Sequence, residues 1–167
     1  MQTFILPALL CWLAMLAAYP LAPVAVALSD KDGRLPAWAW WLETHDNPGW
    51  QGPLSEGYPA TRWGLVRWLW RNKAYALRNE FRAEPSPDDL LYAYGDATPI
   101  PRVGLYLRRY TVGKWWEVDA GLSLYAFRLY VRAGWKLQPY LNGHRPVGPT
   151  ATGMLIPFSV RTDDFNE

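Results

Sequence analysis

Cysteine and histidine are scarce in this chain, and no charged side chain precedes Asp30. The lone cysteine, Cys11, has no partner for an internal disulfide and excludes a Cys-based metal cluster. His45 and His144, the only histidines, fall short of the three or four ligands a zinc site requires. Neither stands in an H-E-x-x-H spacing, there is no G-x-S-x-G elbow, and the Gly-Lys of "TVGKWW" lacks a phosphate-cradling glycine loop. Asp88-Asp89 and Asp163-Asp164 read as solvated loop pairs, because acid–base carboxylates need surroundings that separate their pKa values. The sequence therefore predicts no enzyme, no metal and no cofactor. A formal charge of +2 without a second basic stripe argues against nucleic acid as a partner.

The missing charge at the start is itself a signal. Phe4–Leu28 is uncharged throughout, and roughly 20 helical residues cross a hydrocarbon core of about 30 Å. Residues 1–28 are expected to form a transmembrane anchor. Its clean helix would run from about Thr3 to Tyr19, with a kinked continuation through Pro20 and Pro23. Lys31 and Arg34 follow the segment closely and no basic residue precedes it, which predicts an N-out, C-in orientation with the body in the cytoplasm. Ala25-Val26-Ala27 resembles a signal-peptide cleavage site, so release to the periplasm after cleavage near Ala27 is the alternative.

Aromatics are abundant: eleven Trp, ten Tyr and five Phe. Residues 29–60 read as a Trp-rich juxtamembrane loop, in which Trp38, Trp40 and Trp41 stand where an aromatic belt would meet the membrane interface. His45, Asp46 and Asn47 precede Pro48-Gly49 and read as an Asx-type turn or a partner site.

The stretch 61–83 carries the strongest helical period. Trp63, Val66, Trp70, Ala74, Leu77 and Phe81 share one face, with Thr61 as N-cap. Arg67, Arg71, Arg78 and Arg82 form a basic stripe beside it, suited to anionic membrane lipids. The apolar stripe can face lipid or a sheet but not both, and the sheet is the expected partner. Residues 84–101 read as a Pro-rich linker. In 102–167 the period changes to two, with strands expected at 103–112, 114–119, 125–137 and 153–162. The odd positions of 125–137 form its apolar face, and Gly134 is a candidate bend. The predicted fold class is α+β: an N-terminal transmembrane helix, then an amphipathic helix packed on a small antiparallel β-sheet as one domain.

Several short stretches carry a resemblance. "YPLAP" (19–23), "GRLPAW" (33–38), "THDN" (44–47), "WLWRNKAY" (68–75) and "AGWKL" (133–137) are similar, in order and spacing, to a family of small uncharacterised membrane-anchored proteins encoded by tailed bacteriophages. The chain departs from the family pattern at His45 and Lys73, where proline is usual. The resemblance implies a phage origin, a location in the host inner membrane and no established activity. The expected function is that of a non-enzymatic accessory protein presenting a cytoplasmic binding domain to a protein partner. Alternatives are a membrane-associated enzyme on lipid or cell-wall precursors, using Asp46 and His144, and a virion-associated membrane protein.

Overall fold

A computed structural model describes residues 4–44, 47–84, 91–94, 103–125, 127–137 and 153–164. The chain is α+β, and it divides into two compact units: a helical unit, Leu9–Phe81, and a sheet unit, Met1–Ala8 with Arg82–Glu167.

The apolar head forms one continuous helix, α1, Ile5–Ala27. Its 23 residues rise about 35 Å at 1.5 Å each, so it is longer than the clean helix expected to end at Tyr19. Pro20 and Pro23 lie inside it. Pro23 has no N–H to donate to the Tyr19 carbonyl four residues back. The Trp70 indole N–H donates to that carbonyl instead, at 3.1 Å. A bond from a distant part of the chain thus lets the helix pass a proline that would otherwise leave a carbonyl open.

A short 3-10 helix, Ala37–Leu42, and α2, Gln51–Ser55, follow, where the sequence suggested only a loop. Three residues per turn place Ala39 and Leu42 on one side, and both are buried. The 61–83 segment is two helices, α3 (Arg62–Arg71) and α4 (Tyr75–Glu80). Thr61 caps α3 as expected, its Oγ1 accepting the Gly64 N–H at 3.1 Å. Asn72 ends α3: its backbone N–H and its Nδ2 both donate to the Trp68 carbonyl, at 3.0 and 3.2 Å. Ala74 then takes a left-handed conformation, φ 51, ψ 39, which resets the phase of α4.

The core of the helical unit joins Ala18, Ala22, Ala25 and Val26 of α1 with Leu65, Val66, Trp68 and Leu69 of α3, plus Ala39 and Leu42. The buried stripe of α3 is therefore not the expected Trp63–Val66–Trp70 line. Trp63 is exposed, Trp70 is half-buried, and the two rings meet edge to face at 5.4 Å. The partner of the stripe is α1, where the sequence reading placed the sheet. The small face of α1 accommodates the bulk of Leu65, Trp68 and Leu69, so the largest residues need not all turn inward.

The sheet is a five-stranded antiparallel meander in the order β1 (Leu91–Tyr94), β2 (Val103–Val112), β3 (Trp115–Leu124), β4 (Phe127–Trp135) and β5 (Leu155–Asp164). Three strands lie close to the expected spans, and β3 extends five residues past the 114–119 prediction. β1 falls within the expected linker; residues 85–90 and 95–101 of that linker lie outside the described residues. Register shifts between Arg132 and Gly134: Pro157 and Phe158 of β5 stand opposite the single Ala133 of β4, a bulge on an edge strand that tolerates proline. Gly134 sits at φ 110, and a Cβ there would lie 2.2 Å from the Trp116 carbonyl oxygen, so the bend requires glycine. Beyond the bulge Trp135 is buried edge to face against Trp115 and Trp116, with centroids 5.0 and 5.8 Å away.

The alternation runs opposite to expectation over most of the sheet. Paired residues across β2, β3 and β4 place Leu105, Leu122 and Leu129 on one face and Tyr106, Gly121 and Tyr130 on the other. Leu105, Phe127 and Leu129 are exposed, whereas Tyr130 is buried. The odd positions of β4 face inward only after the bulge, at Trp135.

The Trp70–Tyr19 bond gives a double-mutant test. Trp70→Phe should cost about 1–3 kcal/mol, since it leaves the Tyr19 carbonyl unpaired. In a Pro23→Ala background, which restores the intrahelical donor, the same substitution should cost about 1 kcal/mol less, read by denaturant unfolding in detergent.

Candidate functional site

The two sides of α1 are sorted by size rather than by polarity. Cys11, Ala18, Ala22 and Ala25 lie on one face and are buried. Leu6, Leu9, Trp12, Leu13, Leu16 and Tyr19 lie on the other and are exposed. A helix in water places its large apolar side chains inward, because fully burying a leucine contributes roughly 1.5–3 kcal/mol. Helices packed in lipid do the reverse at their contacts: small residues let backbones approach and leave the large side chains to the solvent. Only 28% of the most apolar 18-residue window of α1 is buried, too little for a soluble core helix. One N-terminal helix is thus long and apolar enough to cross a membrane, a test that a signal sequence also passes.

The residues singled out from sequence lie in different settings. Trp38 and Trp40 are each 46% exposed, while Trp41 is half-buried against the helical core. Arg67 is exposed, with its guanidinium 4.8 Å from the Tyr58 ring centroid. Arg71 is paired with Glu56. Arg78 is buried in α4, and Arg82 pairs with Glu84 at 3.0 Å. The four arginines therefore form no continuous stripe; the phase break at Ala74 turns Arg78 inward. Lys73 lies 5.0 Å over the ring of Tyr19, itself 6.2 Å from Trp70, forming an aromatic and cationic group beside α1 that periodicity alone did not indicate.

His45, Asp46 and His144 lie outside the described residues. The Asn47 carbonyl accepts the Thr44 hydroxyl at 2.9 Å. An Asx-type turn occurs earlier, at Asp30, whose Oδ1 accepts the N–H groups of Asp32 and Arg34, both at 2.9 Å. Trp50 closes this loop from the far end, its indole N–H donating to the Lys31 carbonyl at 2.9 Å. Glu43 accepts the Leu35 N–H at 3.2 Å. Glu43 and Trp50 thus tie the 31–50 segment to itself.

The polar face of the sheet carries a charge network that the sequence reading did not single out. Glu117 is fully buried, paired with Arg132, and accepts the Leu137 N–H at 2.7 Å. The Tyr106 hydroxyl donates to Asp119 at 3.1 Å, and Arg128 lies 4.4 Å over the Tyr130 ring. Asp119 stands opposite both Arg108 and Arg132 across the strands. Gly121 leaves the space that Tyr106 and Tyr130 fill, since a Cβ there would come within 2.9 Å of the Tyr106 ring and 2.6 Å of the Tyr130 Cβ. Burial raises the Asp119 carboxyl above its usual value, against the opposing pull of Arg132 and the Tyr106 hydroxyl. Burial, then the Asp119 charge, pushes the Tyr106 phenol well up. For Arg132, burial acts to lower the value, and Glu117 more than offsets it, so the guanidinium is held charged. Cross-strand parity of Glu117, Asp119, Arg128 and Arg132 was the available signal. Opposite charges at matching even and odd steps can pair only after the register is known.

A largely outward-facing apolar helix, a small helical unit and a meander sheet with a charge-paired face define an α+β protein with one helix able to cross a membrane. The chain belongs to a family of unknown function, DUF7338, whose family model matches residues 1–161. No curated protein and no solved structure matches the chain.

The raised Asp119 value sets a pH dependence. The folded state binds the proton more tightly than the unfolded chain, so this contribution to stability is complete below the ordinary value of 3.8 and is lost as pH rises through the folded value. Asp119→Asn, which stays neutral, should be more stable than the parent at neutral pH. The difference should vanish in acid, as followed by thermal unfolding across pH.

Proposed function

We propose that the protein is a non-enzymatic accessory protein held on a membrane by the large-side-chain face of α1. The carrying observation is the size sorting on that helix, with small residues packed inward and leucines outward. Following the resemblance to phage-encoded proteins, the membrane is the host inner membrane, and the body serves a protein partner there. Trp38, Trp40 and Trp63 are exposed and suit the interfacial zone.

The core of the helical unit supports retention of the head. Cleavage after Ala27 would remove Ala18, Ala22, Ala25 and Val26 and leave Leu65, Trp68 and Leu69 without their neighbours. The Lys and Arg distribution favours an N-out, C-in crossing. A second reading rests on Phe4, whose ring packs 4.7 Å from Trp116 and 5.3 Å from Trp135 of the sheet. That contact keeps the start of α1 on the side of the sheet, with the helix lying along the interface rather than crossing.

Membrane fractions from expressing cells should retain the chain at its full-length mass after alkaline extraction; a soluble or shortened product would overturn the proposal. In a Cys11→Ala background, a cysteine at Gln2 distinguishes the two placements. Labelling of intact cells by a membrane-impermeant maleimide supports the crossing, and protection until lysis supports the interfacial helix. Asp46→Ala and His144→Ala should leave the phenotype unchanged, whereas its loss with the fold retained would favour the enzymatic alternative.

A further inference from the structure

The bare part of α1 ends at one place. Leu9, Trp12, Leu16 and Tyr19 are exposed and follow one another at spacings of three, four and three, so they form a single stripe along the helix. Between Ile5 and Ala17 only Cys11 is buried, whereas Ala18, Ala22, Ala25 and Val26 pack into the helical core. Three residues past Tyr19, the stripe would fall on the buried Ala22. At that junction the Trp70 indole meets the Tyr19 carbonyl, and its ring lies 6.2 Å from the Tyr19 ring. Trp63, whose ring is 5.4 Å from that of Trp70, carries the exposed aromatic surface onto α3.

Two cations border these rings. The Lys73 ammonium is 5.0 Å from the Tyr19 ring centroid. Arg67 stands between Trp63 and Trp70 on the same face of α3, at steps of four and three, and its guanidinium rests on the Tyr58 ring. Stacking on a ring orients a cation without neutralising it. No carboxylate pairs with Lys73 or Arg67 among the described residues, and Glu56 is engaged by Arg71. Both charges therefore remain open to an anion from outside the chain.

We infer that Lys73 and Arg67 bind the phosphate of an anionic phospholipid whose acyl chains cover the Leu9–Trp12–Leu16 stripe. The ligand must present an anion and an apolar tail side by side, because the cations and the stripe meet at Tyr19. A nucleic acid or an acidic peptide would answer the charge and leave the stripe in water. Two copies of the chain meeting through this same face would set the cations against each other. Aromatic rings and the tips of lysines share the headgroup level of a bilayer, which is the setting these residues form together. The inference rests on the membrane reading of α1 and names the lipid chemistry at the end of its exposed stripe. It does not depend on whether that helix crosses or lies flat.

The test uses the full chain in a Cys11→Ala background, with a fluorophore on a single cysteine at Arg62, beside Trp63, or at Leu13. The protein is incorporated into vesicles of phosphatidylglycerol and phosphatidylcholine, with a spin label on the acyl chains of one lipid or the other. Spin-labelled phosphatidylglycerol should quench the Arg62 label more strongly than the same mole fraction of spin-labelled phosphatidylcholine. Lys73→Gln and Arg67→Gln should each reduce that preference about fivefold, and Lys73→Arg should keep it. The Leu13 label should be quenched by both lipids in every variant, which checks that each remains inserted. Equal quenching of the Arg62 label by the two lipids, with Leu13 quenched, overturns this inference and leaves the α1 reading standing. A preference undiminished in both Gln variants overturns it as well, and silence at both positions overturns both readings. An Arg62 response to inorganic phosphate in lipid-free detergent identifies a soluble anion as the ligand. One that needs only more protein identifies a second copy, and either result overturns the lipid assignment.

Discussion

The close contact between the alanine face of α1 and the leucines of α3 is the constraint on which the helical unit depends. Ala18, Ala22 and Ala25 are buried, and their small volume lets Leu65, Trp68 and Leu69 fill the space between the helices. With that face used, Leu6, Leu9, Leu13 and Leu16 of α1 stand exposed among the described residues. The outward apolar surface is therefore the geometric remainder of the packing. In lipid this division costs nothing, because hydrocarbon is as good a neighbour for leucine as another leucine.

The sheet obeys the same logic by a different route. Alternation along a strand assigns side chains to two faces, but it does not decide which face is covered. Here the face bearing Glu117, Asp119 and Arg132 is the better buried one, and Glu117 is held by Arg132 and by the Leu137 backbone. Such a network fixes the strand register, since a one-residue slip would move every charge to the apolar side. The aromatic cluster of Trp115, Trp116 and Trp135 closes one end, where the bulge turns Trp135 inward.

Much of this was legible in the residues. The uncharged head, the Thr61 cap, the ten residues of β2 and the irregularity at Gly134 follow from period, capping chemistry and the freedom of glycine. The α+β class followed from the change of period between 61–83 and 102–167. The arrangement of the faces was not legible. Trp63 and Trp70 dominated the hydrophobic period of α3, yet the Ala-rich partner turned the Leu65–Leu69 side inward instead. The arginine stripe failed at Asn72 and Ala74, where a side chain competing for the Trp68 carbonyl ended the helix and shifted the phase. The inward charges of the sheet needed the register between neighbouring strands, which sets Glu117 beside Arg132 fifteen residues away. Local pattern carries none of that information.

The indole of Trp70 closes a gap in a helix made 51 residues before it. During synthesis, α1 leaves the ribosome with an open carbonyl at Tyr19, and no partner for it exists until translation has reached α3. The helix can form early, but it becomes a finished structural part only when the later segment docks. Helix formation and helix completion are thereby placed in a fixed order in time, with one hydrogen bond as the checkpoint between them.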